Sequence, residues 1–309
     1  MKRDLINLTD LNEKELLYII DKSIEIKKNP SSVKNVMNQK TLLMIFEKPS
    51  LRTRVSFETA MTKMGGHAIY YDVKNSPLGV GETIADTAKC ASRYVDIIMA
   101  RLLKQSDTIE LAKNSSVPVI DALSDVAHPC QIIADLMTIK EKKGFFKGLK
   151  LVYLGDADNN VTYSLMQGCA MTGINMFVIS PQNESDLKKD ILNNAKKIAE
   201  KNNCILKLSK DINDVKNADI VVTDTWMSYH IPQEQKEARV KMFMPYQVNS
   251  ELMKKAKKDA IFMHCLPAKR GYEVTNEVID SNQSVVFDEA ENRMWTEMSI
   301  ILFLLNKLN

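Results

Sequence analysis

The sequence predicts an α/β fold of two similar-sized domains, each a mostly parallel sheet flanked by helices. Its 309 residues are enough for two hydrophobic cores. Short apolar runs alternate with longer helical segments, the pattern of parallel strands joined by crossover helices. One amphipathic helix, expected from about 129 to 142, separates an early set of strands from a later set and precedes a Gly- and Lys-rich turn. This helix indicates the boundary between the domains.

Four strands are expected before that helix. They are TLLMIF (41–46), HAIYY (67–71), VDIIMA (95–100) and VPVI (117–120). Six more are expected after it, namely LKLVYL (149–154), INMFVI (174–179), CILKL (204–208), DIVV (219–222), AIFMH (260–264) and SVVF (284–287). Such short, apolar runs are typical of strands buried on both faces of a parallel sheet.

The last segment, ENRMWTEMSIILFLLNKL, predicts an apolar helix that is too short to span a membrane. We expect it to pack back across the first domain as a buried helix. The predicted domains are therefore residues 1–141, completed by the C-terminal helix 293–309, and residues 142–292.

Charge and composition argue against several classes of protein. The 42 Lys and Arg residues nearly balance 39 Asp and Glu residues, so we expect neither a nucleic-acid partner nor a membrane surface. The N-terminus has no signal-peptide apolar region, which favours a cytoplasmic protein. Five scattered cysteines offer no disulfide framework and no zinc-type spacing. Because G-x-G-x-x-G, Walker A and G-x-S-x-G motifs are absent, nucleotide-binding and serine-hydrolase functions lose support.

The polar and charged motifs lie where predicted strands end. In the first half they are residues 48–54, Arg101 and residues 127–131, and in the second half residues 155–160, 223–226 and 264–267. Open parallel sheets bind ligands outside the carboxyl ends of their strands. We therefore expect residues of both domains to converge on an active site in the interdomain cleft.

Two motifs of the first half suit an anion. Ser50-x-Arg52-Thr53-Arg54 begins a helix, where unpaired backbone N–H groups, the helix dipole and guanidinium groups favour a phosphate. An ordinary helix cap with solvated arginines is the alternative. Arg101 ends an apolar strand and requires either a bound anion or a protein carboxylate as its partner.

Further motifs supply donors and acceptors. His128-Pro129-Cys130-Gln131 places an imidazole and an amide at a helix start, where they could donate to a carbonyl oxygen that gains charge. A simple capping role is the alternative for His128. Asp224 and the pair Asn159-Asn160 suit an ammonium and a carboxylate, although the same residues are common in any loop.

Taken together, the motifs resemble the aspartate/ornithine carbamoyltransferase superfamily along essentially the whole chain. The motifs are FEKPSLRTRVSFE, MARLLKQ, ALSDVAHPCQIIADLMTI, LGDADNNVTYSL, TDTWMSYH, FMPYQVNSELM, FMHCLPAKRGYEV and VVFDEAENRMW. The superfamily shares S-x-R-T-R and H-P-x-Q. HCLPAKRG, PYQVN and DEAENR resemble the ornithine branch.

This resemblance implies transfer of a carbamoyl group from carbamoyl phosphate to the δ-amine of L-ornithine, giving L-citrulline and phosphate in arginine metabolism. It implies no cofactor, no metal and a homotrimer. The implied catalytic residues are Arg52, Arg101, His128 and Cys265. The implied carbamoyl phosphate-binding residues are Ser50, Leu51, Arg52, Thr53, Arg101, His128, Gln131, Cys265, Leu266 and Arg293. The implied ornithine-binding residues are Asn160, Asp224, Ser228 and Tyr229.

The chain departs from the family pattern near the amine substrate. Tyr229 and His230 stand where Met and Gly are usual, and Leu51 replaces the usual Thr of the phosphate motif. A putrescine carbamoyltransferase is therefore one alternative, and a non-catalytic protein that binds an amino acid or an anion is another. Ser228 beside Asp224 favours ornithine, and the complete set of implied catalytic residues favours an enzyme.

Overall fold

The computed structural model describes residues 2–75, 81–227 and 231–308. The chain divides into two compact units, which we call unit 1 (residues 1–137 and 291–309) and unit 2 (residues 138–290). Both changes of unit fall within helices, one spanning Pro129–Lys143 and the other Val286–Leu304. The sequence placed these boundaries at 141/142 and 292/293.

Unit 1 contains a four-stranded parallel sheet in the order β2-β1-β3-β4. Its strands are β1 (Thr41–Phe46), β2 (His67–Asp72), β3 (Ile97–Arg101) and β4 (Val119–Leu123). Its helices are α1 (Glu13–Lys28), α2 (Leu51–Lys63), α3 (Ile84–Ala91) and α4 (Gln105–Asn114), together with most of α5 (Pro129–Lys143) and of the final helix.

Burial along the strands explains their apolar sequences. All residues of β3 and β4 are buried, whereas the edge strand β2 alternates exposed and half-buried positions. Such uninterrupted burial is expected for parallel strands covered on both faces. Arg101 in β3 and Asp121 in β4 are the charged exceptions, and such buried side chains require polar or charged partners.

Unit 2 contains a five-stranded parallel sheet in the order β7-β6-β5-β8-β9. Its strands are β5 (Lys150–Leu154), β6 (Asn175–Ile179), β7 (Leu206–Ser209), β8 (Ile220–Thr223) and β9 (Ile261–Met263). Its helices are α6 (Asn160–Thr172), α7 (Lys189–Lys201), α8 (Lys236–Phe243), α9 (Ser250–Met253) and α10 (Asn276–Ile279), and α11 (Val286–Leu304) begins here. Val152, Val221 and Phe262 belong to one buried core beneath the sheet.

The strand order reverses between β5 and β8. From β5 the chain first adds β6 and β7 on one side and then returns to add β8 and β9 on the other. The loops after β5 and β8 therefore lie side by side, at the position where open α/β sheets bind ligands. Asn160 and Asp224 follow these two strands.

The predicted two-domain α/β fold with parallel sheets is confirmed, but one predicted strand is wrong. Ser284 makes a single bridge with Phe262, and α11 already begins at Val286, so SVVF does not form a strand. The final helix consequently starts seven residues before the predicted 293. Asp288 and Glu289 lie in its first turn, where their charge favours a helix start over continued extension.

In the described part of the chain, no helix combines the length and apolarity needed to cross a membrane. The final helix α11 contains Asp288, Glu289, Glu291, Arg293 and Glu297. Many of its apolar residues are nevertheless buried, and Met298, Ile300 and Ile301 are inaccessible to solvent, whereas Phe287 near its start is exposed. The helix is therefore a core element, as its sequence predicts.

Gly155, directly after β5, provides a test of the loop geometry. Its φ is 127°, and a methyl group on its Cα would lie 3.1 Å from Nε1 of Trp226. We expect Gly155→Ala to lower the free energy of unfolding by about 3 kcal/mol because it adds a close contact to an unfavourable backbone conformation. The control Gly144→Ala, at φ 81° with no atom within 4 Å of the methyl group, should cost only about 1 kcal/mol. Equal losses in urea denaturation would contradict a steric role for the Trp226 contact.

Candidate functional site

The first motif of unit 1 forms a capped helix start after β1. Ser50 is the N-cap of α2, and its Oγ accepts a hydrogen bond from the backbone N–H of Thr53 at 3.4 Å. Thr53 is buried, Arg52 is half-buried, and the Leu51 side chain is 76% exposed. A Leu in place of the usual Thr is thus accommodated in solvent. The first-turn N–H groups and the helix dipole make this end suitable for an anion.

Three guanidinium groups act electrostatically on His128, the residue that precedes α5. Burial lowers the pKa of His128 well below its ordinary value, and Arg293, Arg101 and Arg52 lower it further through their positive charge. Residues from α2, β3 and α11 are therefore near the same imidazole. Lys48 is a further cation, and burial and the charge of Arg101 lower its pKa to about 8. The imidazole is neutral near pH 7, and the site is strongly positive.

A hydrogen-bonded chain of buried side chains joins α5 to α11. Nη1 of Arg293 donates to Oε1 of Gln131 at 2.7 Å, and Nε2 of Gln131 donates to Oδ1 of Asp135 at 2.8 Å. On its other side, Arg293 donates from Nε and Nη2 to Oε1 of Glu297, at 3.1 and 2.8 Å. These contacts fix both the amide of Gln131 and the guanidinium of Arg293.

Arg54, the other arginine of the motif, lies outside this cluster. Its Nε donates to Oε1 of Glu58 at 2.9 Å, and its guanidinium lies 4.0 Å from the centre of the Tyr70 ring. The side chain is largely exposed. The alternative of a solvated arginine on the first helical turn therefore holds for Arg54.

In unit 2, the loop after β5 is held by Asn159. Its Oδ1 accepts from the backbone N–H of Thr162 at 2.8 Å and so caps α6, while its Nδ2 donates to Oη of Tyr153 at 3.0 Å. Asn159 is fully engaged in shaping the loop. The neighbouring Asn160, which is 7% exposed, is the first residue of α6. The cap therefore determines where the Asn160 amide lies.

Arg239 of α8 connects the loops after β5 and β8. It forms an ion pair with Asp156, and its Nε donates to the carbonyl oxygen of Trp226 at 2.8 Å. Burial raises the pKa of Asp156 to about 6, although Arg239 lowers it in part. The pair therefore holds together the two loops that carry Asn160 and Asp224.

Asp224 and Cys265 meet at the carboxyl ends of β8 and β9. Sγ of Cys265 donates to Oδ1 of Asp224 at 3.3 Å. Burial raises the pKa of Asp224, while His264 and the Cys265 hydrogen bond lower it. Leu266 has a left-handed φ of 58°. This conformation is rare for a branched residue and marks a loop whose shape the surroundings enforce.

His264 fixes that loop and is not available as a metal ligand. Its Nδ1 accepts the backbone N–H of Leu266 at 2.8 Å, so Nε2 carries the proton and faces Oε1 of Glu273 at 3.4 Å. Asp224, His264 and Cys265 offer ligand atoms within 4.8 Å of one another. Because both imidazole nitrogens are engaged, the trio does not provide the neutral imidazole lone pair that a metal requires.

Two of the predicted ornithine-binding residues, Ser228 and Tyr229, lie outside the described residues, as does His230.

Comparisons with known proteins show the family of this chain. The model of the aspartate/ornithine carbamoyltransferase carbamoyl-P binding domain matches residues 3–141, and that of the Asp/Orn binding domain matches residues 147–304. The chain belongs to the aspartate/ornithine carbamoyltransferase family. It is 48% identical over 306 residues to the ornithine carbamoyltransferase of Oceanobacillus iheyensis, covering 98% of this chain and 94% of that protein.

Solved structures of family members are similar over the full chain. The ornithine carbamoyltransferase of Pyrococcus furiosus has a TM-score of 0.93 at 44% identity, covering 100% of this chain and 98% of that one. The ornithine transcarbamoylase of Giardia lamblia has a TM-score of 0.91 at 42% identity, with 100% coverage of both chains.

Most residues that the family resemblance implies for carbamoyl phosphate lie in unit 1. Those in unit 1 are Ser50, Leu51, Arg52, Thr53, Arg101, His128, Gln131 and Arg293. Cys265 and Leu266 lie instead in unit 2, where Cys265 contacts Asp224. Asp156 and His264 lie in motifs that the sequence singled out, but Arg239 and Glu297, which contact site residues, were not predicted. A charged residue in an otherwise apolar segment is the signal that could have identified Glu297.

The Asp156–Arg239 pair generates a pH-dependent prediction. Arg239→Met leaves a buried carboxylate without its partner, so we expect a loss of about 3 kcal/mol in the free energy of unfolding at pH 8. The wild-type pKa of Asp156, about 6, is above that of an unfolded chain and rises further in the variant. Asp156 then binds a proton as the pH falls, and the loss should be smaller at pH 5 than at pH 8.

A matched control is Arg270→Met, which breaks the exposed pair between Arg270 and Asp280. Solvent already screens that pair, so we expect little change in unfolding at either pH. Urea denaturation of both variants at the two pH values measures the difference. A loss in Arg239→Met that does not depend on pH would contradict the buried, titrating carboxylate.

Proposed function

We propose that this chain transfers the carbamoyl group of carbamoyl phosphate to the δ-amine of L-ornithine, giving L-citrulline and phosphate. One observation carries the proposal. The charges of Arg52, Arg101 and Arg293 all act on the neutral imidazole of His128, in the part of the chain that matches a carbamoyl-P binding domain. A cluster of this charge suits a dianion that bears a carbonyl group.

Within unit 1, the phosphate would be held by Ser50, Arg52, Thr53 and the backbone N–H of Leu51. Arg101, His128 and Gln131 would contact the carbonyl and phosphate oxygens, and Arg293 would complete the site. As the amine attacks, the carbonyl oxygen gains negative charge. Fixed donors at that oxygen stabilise the transition state without reorganisation. A neutral His128 fits this role, because its N–H group donates a hydrogen bond to the carbonyl oxygen while the ring stays uncharged.

Within unit 2, Asn160 and Asp224 would hold the α-carboxylate and the α-ammonium of ornithine. Ser228 and Tyr229 would assist them. Cys265 and Leu266 would line the reacting end of the amine. The half-buried Cys265 thiol donates to the buried carboxylate of Asp224, so this loop carries groups that can take part in proton transfer.

The reaction requires an unprotonated δ-amine, although an alkylammonium ordinarily has a pKa near about 10.4. A site with little water lowers that pKa, and the Cys265 thiol or thiolate takes part in removing the proton. The amine then attacks the carbonyl carbon, and the new C–N bond forms as the carbonyl electron pair moves to the oxygen. When the carbonyl re-forms, the C–O bond to phosphate breaks, its electron pair leaves with phosphate, and the second proton of the attacking nitrogen passes to the departing phosphate.

A homotrimer, a cytoplasmic location and an active site between the two units remain predictions. An apolar groove of about 240 Å³ in unit 1, lined by Ile69, Tyr71 and Tyr94 among others, supports self-association. Tyr94 and Ile69 are 77% and 41% exposed there, and together they form an apolar patch of the kind that a subunit interface covers.

The function is tested with purified protein, carbamoyl phosphate and a panel of acceptors comprising ornithine, putrescine, lysine and aspartate. We expect the highest kcat/KM with ornithine, because Asp224 and Asn160 recognise the α-amino acid end. Preference for putrescine would mean that the chain is a diamine carbamoyltransferase and that Tyr229 and His230 reshape the site. No product with any acceptor would favour the non-catalytic alternative.

Site-directed variants test the cation cluster. We expect Arg52→Ala and Arg101→Ala to lower kcat by about 10²- to 10³-fold, because each removes charge that stabilises the transition state. Arg54→Ala is the matched control, since Arg54 lies on the same helix but pairs with Glu58. Its kcat should remain within about twofold of the wild type. If Arg52→Ala behaved like Arg54→Ala, the assigned role of Arg52 would be wrong.

A further inference from the structure

Glu297 is a buried carboxylate that the proposed reaction does not use. It lies on α11, one helical turn after Arg293, and its side chain is inaccessible to solvent. Met298, Ile300 and Ile301 follow it on the same helix, and all three are buried apolar residues. A carboxylate in such surroundings destabilises the fold unless it is paired. The residue that pairs with the Glu297 carboxylate therefore indicates the role of Glu297.

That partner is Arg293, and the contact fixes the direction of its guanidinium group. Oε1 of Glu297 accepts from Nε at 3.1 Å and from Nη2 at 2.8 Å, while Nη1 donates to Gln131 at 2.7 Å. Three of the five N–H donors of the guanidinium are thus engaged with described residues. Two donors are left, one on Nη1 and one on Nη2. They are held in place by the bonds that their own nitrogen atoms make.

The electrostatic surroundings of Glu297 come from three helices. Arg293 faces it from its own helix α11, Ser56 from α2 and Cys130 from α5, with Asp135 farther along the same hydrogen-bonded chain. Burial raises the pKa of Glu297 to about 7, and Arg293 and Ser56 oppose this effect. The carboxylate therefore exchanges its proton near neutral pH.

We infer that Glu297 is a positioning residue for carbamoyl phosphate, which holds the Arg293 guanidinium so that its two remaining donors meet the substrate. This inference rests on the proposed function, in which Arg293 belongs to the carbamoyl phosphate site. Glu297 itself touches no substrate. It acts through Arg293, and through Arg293 on the amide of Gln131.

A pH response follows from this arrangement. Protonation removes the negative charge that attracts the guanidinium, so a protonated Glu297 holds Arg293 less firmly. Affinity for carbamoyl phosphate should fall as the pH decreases through about 7. Lys48, with a pKa of about 8, gains charge over the same range and favours the anion, so the response must be read as a difference between variants. The pKa of His128 is too low for it to contribute.

Two substitutions separate the positioning role from a structural one. Glu297→Leu keeps a similar volume and removes the acceptor, whereas Glu297→Gln keeps an acceptor and removes the charge. Glu291→Gln is the control, because Glu291 lies on the same helix and accepts a hydrogen bond from Trp295 outside the cluster. The measurements are KM for each substrate, kcat, melting temperature, and the Kd of carbamoyl phosphate by calorimetry without ornithine.

For Glu297→Leu we expect KM and Kd for carbamoyl phosphate to rise by about tenfold, with KM for ornithine within about twofold of the wild type. Glu297→Gln should show a rise of about threefold at pH 8 and no further rise at pH 6, whereas the wild type weakens between these values. Glu291→Gln should match the wild type throughout.

The outcomes distinguish the two proposals. A wild type that binds carbamoyl phosphate but forms no citrulline overturns the proposed function, and the calorimetric comparison still tests Glu297. Equal Kd values for wild type and Glu297→Gln at both pH values overturn the positioning role. If Glu297→Leu does not fold, the pH difference between the wild type and Glu297→Gln decides alone.

Discussion

Repulsion among buried and half-buried cations is the constraint that unit 1 must satisfy. Arg52, Arg101 and Arg293 lower the pKa of one imidazole, and Arg101 lowers that of Lys48. The three guanidinium groups come from α2, β3 and α11 and Lys48 from the loop after β1, so no single helix or strand creates the site. Each cation lies at the carboxyl end of a strand or on a helix covering the sheet. The surrounding fold keeps the cations close together despite their repulsion. A bound dianion relieves that repulsion, which explains why so positive a cluster is retained.

Unit 2 has the opposite electrostatic character at its strand ends. Burial raises the pKa of both Asp156 and Asp224, yet only Asp156 has a guanidinium partner. Asp224 meets the Cys265 thiol instead, a weak donor that does not neutralise a carboxylate. An ammonium group would supply that compensation. The cationic site proposed for the carbamoyl donor and the anionic site proposed for the amine thus arise from the same kind of sheet, because different side chains follow the strands.

Much of the fold could be predicted from the sequence because the apolar runs and the motifs that follow them indicate the same strand ends. Apolar runs located the strands, and the motifs after them located the loops that carry Ser50, His128 and Asp224. The error at 284–287 has a local cause, since Val285 and Val286 have strand propensity while Asp288 and Glu289 favour a helix start. Propensity alone could not decide between them. The tertiary contact of Glu289 with the backbone N–H of His264, at 3.0 Å, favours the helix.

The candidate site was less predictable, because its residues are supported by pairs far apart in the chain. Arg239 reaches Asp156 across 83 residues, and Arg293 reaches Gln131 across 162. Motifs identify groups that suit a substrate, but they do not show what orients those groups. For Arg293 the orienting contact is only four residues away, at Glu297, yet its meaning depends on α11 being buried there. On an exposed helix the same spacing would describe a surface ion pair that adds little stability. Burial makes this pair a means of fixing the guanidinium, so the role of Glu297 follows from the fold rather than from the spacing.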